Sequence, residues 1–224
     1  MPPDDPGALA RLLRDAARGV PPAPDGSVTV LGEGGGHLAA LLAFANHHVV
    51  VADVPEAWVR ARLAPGDLSA PTSAPFLDAL AGKLGRTYDN LDLVLAAEPL
   101  PDPPPLDLVA LDPDPSHPRV ARSLRYRRDV ATWETADGAA VLMLGRGLAG
   151  RWEVAFEVDP SARGRGLGRA LATAARHLVP DDEPLFIQIA PGNVPSLKAI
   201  LASGGWTPIG GEVLYPEGSG AQPG

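Results

Sequence analysis

The chain contains no cysteine. Disulfides, thiolate zinc sites and a cysteine nucleophile are therefore excluded, and cysteine usage says nothing of the redox compartment. Lysine is nearly missing as well: Lys83 and Lys198 stand almost alone beside the arginines. Aromatic residues make up 5% of the chain, and the longest apolar run, Leu38 to Ala45, is far short of the ~20 residues a membrane helix needs. An excess of positive charge is also lacking. A net charge of -8 and a pI near 5.0 argue against nucleic acid or an anionic membrane surface as partner, because both demand a basic face. Met1 to Pro6 shows neither a basic n-region nor an apolar h-region, so the expected compartment is the cytoplasm. Histidine is present but not in a metal pattern. His47 and His48 are adjacent, point to opposite faces if in a strand, and have no carboxylate at ligand spacing; they read as surface or turn residues, and no metal site is expected.

What is present suits a globular protein. The 224 residues fit one large or two small domains, and 45% hydrophobic residues can build a core. The abundance of Ala, Gly, Pro and Arg resembles coding by a GC-rich bacterial genome. Asp5-Pro6 reads as an N-cap before a helix carrying Leu9, Leu12, Leu13 and Ala16, and Ser27 to Leu31 reads as a strand. Gly32, Gly34 and Gly36 follow, then apolar Leu38 to Phe44 and a strand Val49 to Val51 ending near Asp53.

Two readings of that glycine cluster stand side by side. If Leu38 to Phe44 is a helix, the segment resembles the opening of S-adenosylmethionine-dependent methyltransferases, with Asp53 on the ribose. If it is a strand, the glycines form a hairpin turn and Asp53 caps the helix from Pro55. A helix at Ala74 to Gly85 and a strand at Leu91 to Ala97 precede the stiff connector Leu100 to Leu106, which contains four prolines.

The second half has a sharper pattern. Leu108 to Leu111 is a possible strand and Arg119 to Arg125 a short helix. Arg128 to Thr135 and Ala139 to Leu144 pair across Asp137-Gly138, and Trp152 to Val158 is a third strand. That strand runs into Arg163-Gly164-Arg165-Gly166-Leu167-Gly168-Arg169, and a helix runs out of it. A glycine-rich turn between strand and helix binds phosphate, because the first helical N–H groups are unpaired and sit at the positive end of the dipole. The strand Leu185 to Ile189, a helix after Pro191-Gly192-Asn193, and two short strands near Trp206 to Ile209 and Glu212 to Tyr215 complete the chain.

This succession, with Arg163-x-x-Gly166-x-Gly168, Asn193-x-x-Ser196 and Gly205-Trp206 in order, resembles the GNAT superfamily of N-acetyltransferases over roughly 125 to 215. The implied fold class is α/β with a mixed α+β sheet. Its parts are a divergent α/β region over 1–115, a GNAT domain over 116–216 and a disordered tail over 217–224. The resemblance implies acetyl-CoA as co-substrate, its pyrophosphate on Arg163, Gly164, Arg165, Gly166, Leu167, Gly168 and Arg169. The pantetheine arm would run beside Phe156 and Val158, with Asn193 and Ser196 along the CoA. It also implies that the third strand and the Phe186 strand splay apart. The partner would be a small-molecule or peptide amine, and a homodimer is possible in such a family.

The catalytic groups are less defined. An amine of pKa near ~10 must lose a proton before attack. Trp152 and Val154 cannot take it, so Glu153 is the candidate base, with Glu157 the other nearby carboxylate and a solvated strand-edge glutamate the plainer reading. The tyrosine that the family places four residues after the serine is replaced here by Ile200. Water, Ser203, Tyr126 or Tyr215 would have to stand in. A CoA-binding module without catalysis is thus a second reading, and Trp206 reads as core.

Overall fold

The computed structural model describes residues 7–64, 66–180 and 182–218. The expected cap at Asp5-Pro6 and residues 219–224 of the expected tail lie outside the described residues. The fold is mixed α/β, and the chain divides into two compact units: Met1–Leu93 with Ile209–Gly224, and Val94–Pro208.

In the first unit, α1 (Ala8–Ala17) buries Ala8, Leu9, Leu13 and Ala16, the stripe its helical spacing predicts. Three strands follow, β1 (Val28–Leu31), β2 (Leu38–Phe44) and β3 (His47–Val51), then helices α2 (Glu56–Arg60) and α3 (Ala74–Leu84). Helix α3 ends where Gly85 takes the left-handed φ of 64°. Strand β4 (Asp92–Ala97) leads out of this unit, and the last strand, β10 (Trp206–Pro216), leads back into it. The strand order is β1-β3-β2-β10, with β1 parallel to β3 and the other pairs antiparallel. Its core joins Leu41, Val50, Phe76, Leu77, Leu80, Val213 and Tyr215.

Several sequence expectations are corrected here. Leu38 to Phe44 is a strand, despite its helix-forming Leu and Ala, because it lies between two strands and is buried on both faces. The helix needed by the S-adenosylmethionine reading is therefore absent at that position. The hairpin reading also fails, since β3 intervenes between β1 and β2. Asp53 does not cap α2, whose N-cap is Pro55: its Oδ1 accepts the Glu33 N–H at 2.9 Å and ties down the glycine loop. His47 and His48 are buried rather than at the surface. His47 Nδ1 lies 2.9 Å from Asp25 Oδ1 and its Nε2 3.1 Å from Thr29 Oγ1, so the ring is satisfied by local partners. The two short C-terminal strands are one. Gly210 keeps β10 continuous by letting it press on β2, where a Cβ would stand 2.4 Å from the Ala43 carbonyl oxygen.

The second unit contains β5 (Leu108–Leu111), α4 (Pro118–Tyr126), β6 (Arg128–Thr135), β7 (Ala140–Arg146), β8 (Trp152–Val158), α5 (Leu167–Ala174), β9 (Leu185–Ile189) and α6 (Val194–Ser203). Its strand order is β4-β9-β8-β7-β6-β5. Hairpin β6–β7 turns at Gly138, whose φ is 69°, as Asp137-Gly138 predicts. Cross-strand partners divide the sheet into two faces. Met143 and Ala155 lie under Val120 of α4, while Leu142, Leu144 and Val154 belong to the opposite face. Helix α5 packs on β8 and on α6. Among the described residues, no helix is long and apolar enough to cross a membrane.

Candidate active site

Strands β8 and β9 form a fork. They run parallel, and their register consists of Trp152↔Leu185 and Glu153↔Phe186. Beyond that pair β8 continues to Val158 and β9 to Ile189. On its other edge β8 stays in register with β7 as far as Ala140↔Val158, so the split is confined to one side. An unpaired parallel edge inside a sheet leaves backbone groups that a ligand can satisfy. Phe156 and Val158, the expected pantetheine neighbours, lie on this open stretch.

The open end of β8 leads into the arginine and glycine turn. Asp159 starts it by accepting the Ser161 N–H at 2.7 Å, and Arg163 Nε donates back to the Val158 carbonyl at 3.1 Å. Gly164 and Gly166 have φ of 76° and 86°, values that L side chains rarely adopt. Gly166 is the N-cap of α5, so Leu167, Gly168 and Arg169 form the first helical turn with its unpaired N–H groups. At Gly168 a Cβ would lie 3.7 Å from Ala199 and 4.0 Å from Phe156, at ordinary contact distance, so α5, α6 and β8 come together here. Arg163, Gly164, Arg165, Gly166 and Arg169 are exposed, as an anion site requires. At the head of α6, Asn193 is the N-cap and its Oδ1 accepts the Ser196 N–H at 3.3 Å.

Glu153 is not the solvated carboxylate of the plainer sequence reading. It is 0% exposed, and its burial is matched by charge. Arg151 Nε donates to Oε1 at 2.8 Å, the Leu148 N–H reaches the same oxygen at 3.3 Å, and Arg127 Nε forms an ion pair with Oε2 at 3.1 Å. Arg127 also donates from Nη2 to Gln188 Oε1 on β9 at 2.9 Å. A bulge between Arg128 and Ala131, with Asp129 at φ 51°, bends the start of β6 and aims Arg127 inward. The β7–β8 turn makes room: a Cβ on Gly147 would sit 2.1 Å from the Glu153 carboxyl carbon. Sequence reading missed Arg127, Arg151, Gln188 and Gly147. The one local signal was Arg151-x-Glu153, whose spacing puts both residues on one strand face.

Burial pushes the Glu153 carboxyl up, but Arg151 and then Arg127 outweigh it and hold the group below its ordinary value of 4.5. A depressed carboxylate contributes stability that is fully present above its unfolded value and is lost as pH falls through the folded one. Stability measured by urea unfolding is therefore expected to hold from pH 7 to about pH 4.5 at this group and to fall below it, with a flatter acid limb in Glu153→Gln. Equal acid limbs in the two proteins would contradict the pairing.

The alternative proton donors are accounted for. Ile200 is buried. Ser203 Oγ donates to the Ile200 carbonyl at 2.6 Å, within its own helix. The Tyr215 hydroxyl donates to the Leu77 carbonyl at 3.3 Å, inside the core of the first unit. Tyr126 ends α4 and is buried, with Arg122 over its ring. Trp206 is core, its Nε1 donating to the Ala172 carbonyl at 3.2 Å. Glu157 is exposed on the same face of β8 as Glu153.

The second unit is thus an α/β unit with a forked sheet that opens onto a glycine-rich helix N-terminus. No family model and no curated protein matches the chain. Solved structures similar to it include an acetyltransferase from the GNAT family from Colwellia psychrerythraea, 14% identical over 64% of this chain and 62% of that one, with a TM-score of 0.38. A putative acetyltransferase from the GNAT family from Novosphingobium aromaticivorans is 19% identical over 58% and 66%, with a TM-score of 0.39. A GCN5-related N-acetyltransferase from Sphaerobacter thermophilus is 15% identical over 64% and 56%, with a TM-score of 0.36. The match spans less than two thirds of each of these chains.

Proposed function

We propose that the protein is an acetyl-CoA-dependent N-acetyltransferase of the GNAT type, with the transferase part drawn over 116–216 and a divergent region before it. The observation that carries this reading is the fork between β8 and β9 opening onto the turn at 163–169. In this reading Arg163, Gly164, Arg165, Gly166, Leu167, Gly168 and Arg169 hold the pyrophosphate, through first-turn N–H groups and guanidinium charge. Backbone groups near Phe156 and Val158 take the pantetheine arm, and Asn193 and Ser196 lie beside it.

The reaction forms a C–N bond between the acceptor amine and the thioester carbonyl carbon, and breaks the C–S bond in a ternary complex. The amine gives up a proton and the departing thiolate gains one. Glu153, the candidate base from the sequence, is held ionised by Arg151 and Arg127, which makes it a poor proton acceptor and supports a positioning part instead. Ile200 has no proton to give at its position, so in this reading water supplies the thiolate's proton.

The same two observations favour a second reading, a CoA-binding module without catalysis. Thiol release from acetyl-CoA across a panel of primary amines separates the two. Amine-dependent release is expected; none across a broad panel, with acetyl-CoA bound, would leave the module.

A further inference from the structure

We propose that Glu153, Arg127, Arg151 and Gln188 form a strut across the closed end of the fork, and that this strut restricts the donor to a short acyl group. The inference rests on the acyl-CoA reading of the fork.

Backbone pairing between β8 and β9 ends at Glu153↔Phe186, and Gln188 lies two residues beyond it on β9. There the strands have already parted, yet side chains still connect them. The Glu153 carboxylate on β8 pairs with Arg127, and Arg127 donates to Gln188 Oε1 at 2.9 Å. Gln188 and Phe186 share a face of β9, and Arg151 lies 4.9 Å above the Phe186 ring while donating to Glu153. The cluster therefore ties both prongs and the β7–β8 turn together on the face that carries α4. Arg127 also reaches Ser123 Oγ of α4, at 3.4 Å. Three charged side chains so buried and so cross-linked do not yield easily, because parting any pair strands a charge away from water.

The end of the slot that the acyl group would approach is thus bounded by a polar, fixed cluster on one face. An acetyl group ends short of it. A longer apolar chain would press methylenes against buried charged groups, where they gain no apolar surroundings and would displace hydrogen bonds. Loosening the strut on the β9 side, without removing a charge, would let the prong relax and admit the longer chain.

Calorimetric titration of the full chain with CoA, acetyl-CoA and butyryl-CoA tests this without knowledge of the acceptor. The native protein is expected to bind acetyl-CoA about tenfold more tightly than butyryl-CoA, the factor that displacing one buried hydrogen bond produces. Gln188→Ala is expected to bring that ratio close to one while leaving the affinity for CoA itself within about twofold. Gln188→Met, of similar length but without the amide, is expected to lose the preference equally, and it carries the test if the alanine variant does not fold. Failure of the native protein to bind CoA at all would overturn the acyl-CoA reading. Binding of CoA with an acetyl to butyryl ratio that is near one in the native protein, or unchanged in both variants, would overturn the strut alone.

Discussion

Gly166→Glu is expected to weaken acetyl-CoA binding by at least about a hundredfold, beyond calorimetric detection. Three effects act together. Gly166 has φ 86°, so any side chain strains the N-cap of α5 by about 1–2 kcal/mol. A Cβ at this position meets nothing within 4 Å, so the new side chain projects into open space, where the pyrophosphate is proposed to sit. Its carboxylate would then oppose a ligand of the same charge at the helix terminus. Gly166→Ala separates strain from charge: it keeps the backbone penalty without the carboxylate and is expected to retain binding within about tenfold. Unchanged affinity in the glutamate variant would remove the phosphate from this turn.

The second large effect concerns folding. Glu153→Ala is expected to destabilise the protein by about 3–5 kcal/mol, because Arg127 and Arg151, themselves buried, lose the carboxylate between them. Glu153→Gln keeps the shape and one acceptor oxygen, so its loss should be smaller. Denaturant melts of the three proteins supply the comparison. An alanine variant within about 1 kcal/mol of the native protein would mean that the cluster is not the buried ionic hub its distances describe.

These two sites differ in how far the sequence announces them. The anion turn is local: a strand, glycines at 164, 166 and 168 and a helix occur in one uninterrupted stretch, and each leaves its own periodicity or composition. Hairpin β6–β7 is legible for the same reason, through Asp137-Gly138. The ion cluster is not local. Arg127, the Arg151-x-Glu153 pair and Gln188 come from three separate segments, and a bulge in β6 that no residue pattern marks brings the first of them in. Strand β2 was obscured by a different cause. Leu38 to Phe44 contains no β-branched residue, so its helix propensity points one way while burial between β3 and β10 decides the other. Likewise His47 reads as a surface residue until Asp25, Ser27 and Thr29 are seen around its ring.

The central claim is that the fork and its glycine turn form an acetyl-CoA site. Isothermal titration of the purified chain with acetyl-CoA, and in parallel with S-adenosylmethionine, tests it most directly. The expected result is one saturable site per chain for acetyl-CoA and no heat from S-adenosylmethionine. Binding of S-adenosylmethionine with none of acetyl-CoA would contradict it.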